Sequence, residues 1–115
     1  MILLVLLTAY ICFRITFYAS RRNENHDEIH IPEGEIYLPY KDEMVNWTKR
    51  MRAMPQEDFS IKSFDGLTLR GKFFEYEPGA PVELMFHGYR GSAERDMCGG
   101  IFRCFSIGRS ALLVD

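Results

Sequence analysis

From Phe59 onward apolar and polar side chains alternate with a period of two. The pattern runs through Phe59-Ser60-Ile61-Lys62-Ser63-Phe64 and again through Leu67-Thr68-Leu69-Arg70-Gly71-Lys72-Phe73. This period sends successive side chains to opposite faces of a strand. Between the two runs stands Asp65-Gly66, the pair favoured in a two-residue type I′ turn, whose central positions both need positive φ. Together these features predict a β-hairpin. Upstream, Met44, Val45, Trp47, Met51 and Met54 recur at helical spacing until Pro55, with Asp42 and Glu43 where the dipole favours acid. That predicts an amphipathic helix over Lys41–Met54 with its apolar stripe against the domain. Downstream, Val82–Phe86 reads as a short buried strand, His87–Ser92 as a loop and Ala93–Phe105 as a helix. Gly99-Gly100 weakens the middle of that helix, and Ser110–Asp115 reads as a second apolar strand. Strand, helix and strand in this order make a βαβ unit with parallel strands. The predicted fold class is α/β: a hairpin, then a βαβ unit, preceded by a hydrophobic N-terminal helix.

The leader, Met1–Ala19, is apolar except at Arg14, and its length approaches the ~20 residues that cross a bilayer. Residues 1–20 are therefore expected to form a transmembrane or signal-anchor helix. No charged region precedes the apolar run and no small-x-small site stands before Arg21, which argues against cleavage. Arg14, Arg21 and Arg22 lie on its C-terminal side, so the positive-inside rule places the body in the cytoplasm. Residues 21–40 read as a polar linker punctuated by Pro32, Gly34 and Pro39. His26 and His30 stand four apart there, but Pro32 and Gly34 work against the helix that would bring them together, so no metal site is expected.

Composition narrows the function. The chain has 115 residues, 47% hydrophobic and 14% aromatic, which suffices for one packed domain over 41–115. The net charge of −2 and the lack of a basic stripe exclude nucleic acid as an expected partner. Lys49, Arg50 and Arg52 read as one solvated helix face. The three cysteines, Cys12, Cys98 and Cys104, form no CxxC pair. Cys98 and Cys104 would lie on different faces of a continuous helix, and none has a neighbouring base to activate it.

The chemistry sits in His87-Gly88-Tyr89-Arg90-Gly91-Ser92. A parallel sheet gathers function at the carboxyl ends of its strands. Glycines there allow tight turning and close approach. Amides at the head of a helix suit developing negative charge, and each oxyanion donor contributes on the order of 3 kcal/mol to a transition state. The same span also serves as an ordinary tight βα connection. A hairpin with an Asp-Gly turn, a buried strand ending in His-Gly-Tyr-Arg-Gly-Ser, a helix, and a strand ending in Asp115 resemble the first half of the α/β-hydrolase superfamily, the serine esterases, lipases and peptidases. The resemblance covers about half the chain, Phe59–Asp115. It implies that the backbone N–H of Tyr89 is one oxyanion-hole donor, with His87 and Gly88 shaping the loop, and that Lys41–Met54 is an N-terminal extension. It also implies a strand order in which the fourth strand lies beside the third, whose other side takes a fifth.

The family's Gly-x-Ser-x-Gly elbow, acid and late histidine have no counterpart in this sequence; Ser92, Ser106 and Ser110 lack the elbow's glycines. The expectation is the N-terminal portion of a membrane-anchored serine hydrolase that cleaves an ester, thioester or amide. It would act on a small-molecule or peptide acyl substrate, need no cofactor, and be truncated before its nucleophile, hence inactive alone. The alternative is a non-enzymatic, membrane-tethered small α/β protein that binds a partner through its sheet edge.

Overall fold

The computed structural model describes residues 1–17, 28–89 and 91–115. Helix α1 spans Ile2–Phe17 and is followed, across residues outside the described set, by a short 3-10 helix, Glu35–Tyr40. Helix α2 (Lys41–Ala53) leads to strands β1 (Glu57–Lys62), β2 (Thr68–Phe74) and β3 (Val82–Phe86). Helices α3 (Ala93–Met97) and α4 (Gly100–Ser106) then precede β4 (Ser110–Val114). The four strands form one sheet in the order β1-β2-β4-β3. β1 pairs antiparallel with β2, β2 antiparallel with β4, and β3 parallel with β4. The α/β class, the hairpin and the parallel βαβ unit follow the hydrophobic periods that predict them.

Helices cover one sheet face. Phe74, Ala111 and Leu113 project to that side and meet Met51 of α2, Ala93 of α3, Cys98, and Ile101 and Cys104 of α4. Trp47, Met54, Met85, Met97 and Phe105 pack around this core. Full burial of a Phe or Ile contributes roughly 1.5–3 kcal/mol, so Phe74 and Ile101, both without exposed surface, anchor the contact. Strand β4 lies inside the sheet because its Ser-Ala-Leu-Leu-Val run carries no charge on either face. The other face bears no helix among the described residues. Cross-strand pairing puts Phe59, Ile61, Leu69, Leu84 and Phe86 on it, all exposed. Strand β1 buries none of its residues, although its period-two pattern predicts one core face.

Other departures have local causes. The hairpin loop is longer than a two-residue type I′ turn. Gly66 N–H donates to the Ser63 carbonyl and Ser63 N–H to the Leu67 carbonyl. Gly66 takes φ +86, the left-handed residue expected at the end of a three-residue hairpin loop. The predicted Ala93–Phe105 helix is two short helices. They part at Gly99, where a Cβ would come within 3.0 Å of Trp47 Cε3 and 3.2 Å of Cζ3; the break admits the indole. Cys98 and Cys104 are both buried in the core. Burial, with a smaller effect from Glu83, raises the Cys104 pKa and keeps that thiol protonated.

Lys49 and Arg50 are exposed, as charge patterning predicts, whereas Arg52 is half-buried. The Arg50 guanidinium lies 4.4 Å from the centre of the Phe102 ring. Arg52 grips Glu94 through Nε at 3.0 Å and Nη2 at 2.5 Å. This fork ties α2 to the first turn of α3 and so to the loop before it. The end of the predicted 21–40 linker is the 3-10 helix. Residues 21–27, with His26, lie outside the described residues, as do 18–20. Helix α1 has 16 residues, about 24 Å at 1.5 Å per residue, short of the ~30 Å hydrocarbon core. Among the described residues no helix is long and apolar enough to cross a membrane; the expected span over 1–20 includes residues outside the described set. No residue of α1 is buried.

Candidate functional site

The parallel register sets Phe86 beside Val114, so the chain leaves β3 at His87 and β4 at Asp115 on the same sheet end. Asp115 N–H still donates to the Arg70 carbonyl at 2.9 Å, which holds that residue in line with the sheet. Its carboxylate Oδ1 accepts from Ala93 N–H at 2.8 Å. The end of β4 is thereby tied to the first residue of α3, directly behind the loop. The same oxygen lies 3.9 Å from His87 Nε2, beyond hydrogen-bond reach. His87 Nδ1 stands 2.8 Å from the Gly88 carbonyl and donates to it in the matching tautomer. The imidazole therefore contacts the loop's own backbone.

Inside the loop, Gly91 N–H donates to the Gly88 carbonyl at 2.8 Å and closes a four-residue turn around Tyr89. Gly88 N–H donates to Asp96 Oδ2 at 3.3 Å. Asp96 in turn accepts from Arg95 Nε at 2.8 Å, and its side chain is only 22% exposed. Ser92 caps α3 by accepting from Arg95 N–H at 3.4 Å, as its position before the helix predicts. With five residues, however, α3 carries little macrodipole. The electrostatic help expected from a dozen-residue helix is absent, and fixed hydrogen bonds hold the loop instead. The Tyr89 side chain points outward, and its hydroxyl donates to the Thr16 carbonyl of the leader.

The two glycines differ. A Cβ on Gly88 would meet only Asp96 Oδ2, at an ordinary 3.9 Å. A Cβ on Gly91 would overlap Asp96 Oδ2 and approach the Gly88 carbonyl oxygen to 2.8 Å. The backbone carbonyl of Gly88 is what chiefly bars a side chain at Gly91, with the Asp96 carboxylate filling the same space. Partial burial works against the Asp96 charge. The hydrogen bonds from Arg95 and Gly88, with the charges of Arg95 and His87, outweigh it and hold the carboxyl below its ordinary range.

A folded-state pKa below the unfolded one means that the unfolded chain binds the proton more tightly. The resulting stability is complete above the ordinary aspartate value of about 3.9 and is lost as pH falls through the lowered one. Unfolding midpoints in urea, followed between about pH 2 and pH 5, should fall with acid less steeply in Asp96→Asn than in the natural chain. Identical slopes would remove Asp96 from this account.

No protein-family model matches the sequence, and no curated protein matches it either. Among solved structures, the fold is similar to the crystal structure of the α/β hydrolase GrgF from Penicillium sp. sh18. The TM-score is 0.42 at 22% sequence identity, covering 54% of this chain and 22% of that one. A likeness of that degree fixes neither family nor activity. This chain spans about a fifth of the matched structure's length.

His87, Gly88 and Tyr89 are contiguous in the loop at the end of β3. Asp96 and Asp115 join them only through the fold. Asp96 carried no signal, since an acid in the first turn of a helix is ordinary. Asp115 carried a faint one, as a charge ending the strand parallel to β3. Among the described residues no group of three or more histidine, cysteine, aspartate or glutamate side chains is placed to hold a metal ion.

Proposed function

We propose that this chain supplies the N-terminal strands and the first oxyanion donor, Tyr89 N–H, of a serine hydrolase of the α/β-hydrolase kind. The observation that carries the reading is the strand order β1-β2-β4-β3 with only β3 and β4 parallel. It puts the His-Gly-Tyr loop at a carboxyl strand end between the sheet and a helix, as the motif requires. The substrate class is an ester, thioester or amide, attacked by a serine that this sequence does not contain. A fluorophosphonate probe should label the full-length protein at one serine, and heat-unfolding it first should abolish labelling. A folded full-length protein that stays unlabelled would end the reading. The second reading, a binding protein that adds a partner strand to its sheet, is favoured by the open outer edge of β3; labelling decides between them.

Membrane association of the leader belongs to the same proposal, with the body on the cytoplasmic side. Its support is the apolar, wholly exposed surface of α1, which water does not favour. The full-length protein should stay with membranes after alkaline carbonate washing and leave them in detergent. Release by carbonate alone would remove the anchor.

A further inference from the structure

We infer that Asp96 is a positioning residue for the oxyanion loop, fixing the His87–Gly88 peptide by occupying the interior of the turn. The inference rests on the hydrolase reading and names a residue outside its motif. Three contacts carry it. Asp96 Oδ2 accepts from Gly88 N–H at 3.3 Å, while Oδ1 is held at 2.8 Å by Arg95 Nε. Its backbone N–H donates at 3.0 Å to the carbonyl of Ser92, the residue that caps the same helix. The carboxylate fills the space that a Cβ on Gly91 would need, so loop and acid are fitted to each other. Asp115 completes the frame from behind through Ala93 N–H.

Asp96 takes the Gly88 N–H, and the hydrolase reading assigns the oxyanion to the next amide along, that of Tyr89. The carboxylate holds the His87–Gly88 peptide, and the carbonyl of the next peptide accepts from Gly91 N–H, so both peptides at the start of the loop are tied. Oxyanion stabilisation depends on donors fixed before reaction, and a displacement of about 1 Å at such a site costs on the order of 100-fold in rate.

The test compares Asp96→Ala and Asp96→Asn in the full-length protein on a p-nitrophenyl ester, with thermal unfolding measured alongside. Asp96→Ala should lower kcat on the order of 10- to 100-fold with KM little changed. Asp96→Asn keeps an acceptor oxygen of the same reach and should recover most of kcat. A folded Asp96→Ala protein with natural kcat overturns the inference. So does a loss that asparagine fails to rescue, since that points to the charge rather than to the Gly88 contact. Natural protein that neither turns over ester nor takes a fluorophosphonate overturns the underlying hydrolase reading and the inference with it. Should the alanine variant not fold, hydrogen exchange at Gly88 in the natural protein decides. A protected amide supports the inference, and exchange at the free-peptide rate overturns it.

Discussion

Replacing Phe74 with alanine is expected to lower the unfolding free energy by about 3–5 kcal/mol. Phe74 is the last residue of β2, has no exposed surface, and pairs across the sheet with Ala111 of β4. Its ring fills the layer between the sheet and the helices, among Met51, Ile101 and Cys104. These neighbours sit on two helices, α2 and α4, so collapse into the space would be partial and most of the cavity term would remain. Since whole domains are stable by about 5–15 kcal/mol, this one change removes a large share. Phe86→Ala is the matched control. Its ring is 65% exposed on the helix-free face, and the loss should stay within about 0.5 kcal/mol. Urea unfolding of both variants checks the pair. If Phe86→Ala is the more damaging, the core has been placed on the wrong side of the sheet.

On the proposed hydrolase reading, replacing Tyr89 with proline is expected to cost the full-length protein on the order of 100- to 1,000-fold in kcat, the range for loss of one oxyanion donor. Proline removes the backbone N–H and leaves the chain path through the turn available, because Gly88 before it tolerates the restriction proline imposes. Tyr89→Phe deletes only the hydroxyl that bonds the Thr16 carbonyl, so it should leave kcat near the natural value. Steady-state rates on an activated ester separate the two. Equal losses in both variants would mean that the side chain, not the amide, serves the reaction.

The fold was legible where one period dominates. The helical spacing of Met44, Trp47 and Met51, the mostly apolar run at β3 and the uncharged run at β4 each point to one element, and the strand-helix-strand order leaves parallel pairing as the natural outcome. Legibility failed where distant residues decide. Nothing near Gly99 announces that Trp47, far upstream, will fill the place of its missing Cβ, so the helix break read as weakness rather than as packing. The alternation in β1 implied a buried face, but burial needs a covering layer, and among the described residues none lies over Phe59 and Ile61. At the site the loop residues were visible because they are contiguous. Asp96 and Asp115 were not, because their roles exist only once α3 folds back and β4 lies beside β3.

The most direct test of the proposed hydrolase reading is a crystal structure of the full-length protein carrying a phosphonate on the serine that a fluorophosphonate labels. The phosphonyl oxygen should lie about 2.7–3.1 Å from the Tyr89 nitrogen, with Gly88 N–H still on Asp96. A phosphonyl oxygen held elsewhere, with the Tyr89 amide bonded to another protein group, would contradict the account.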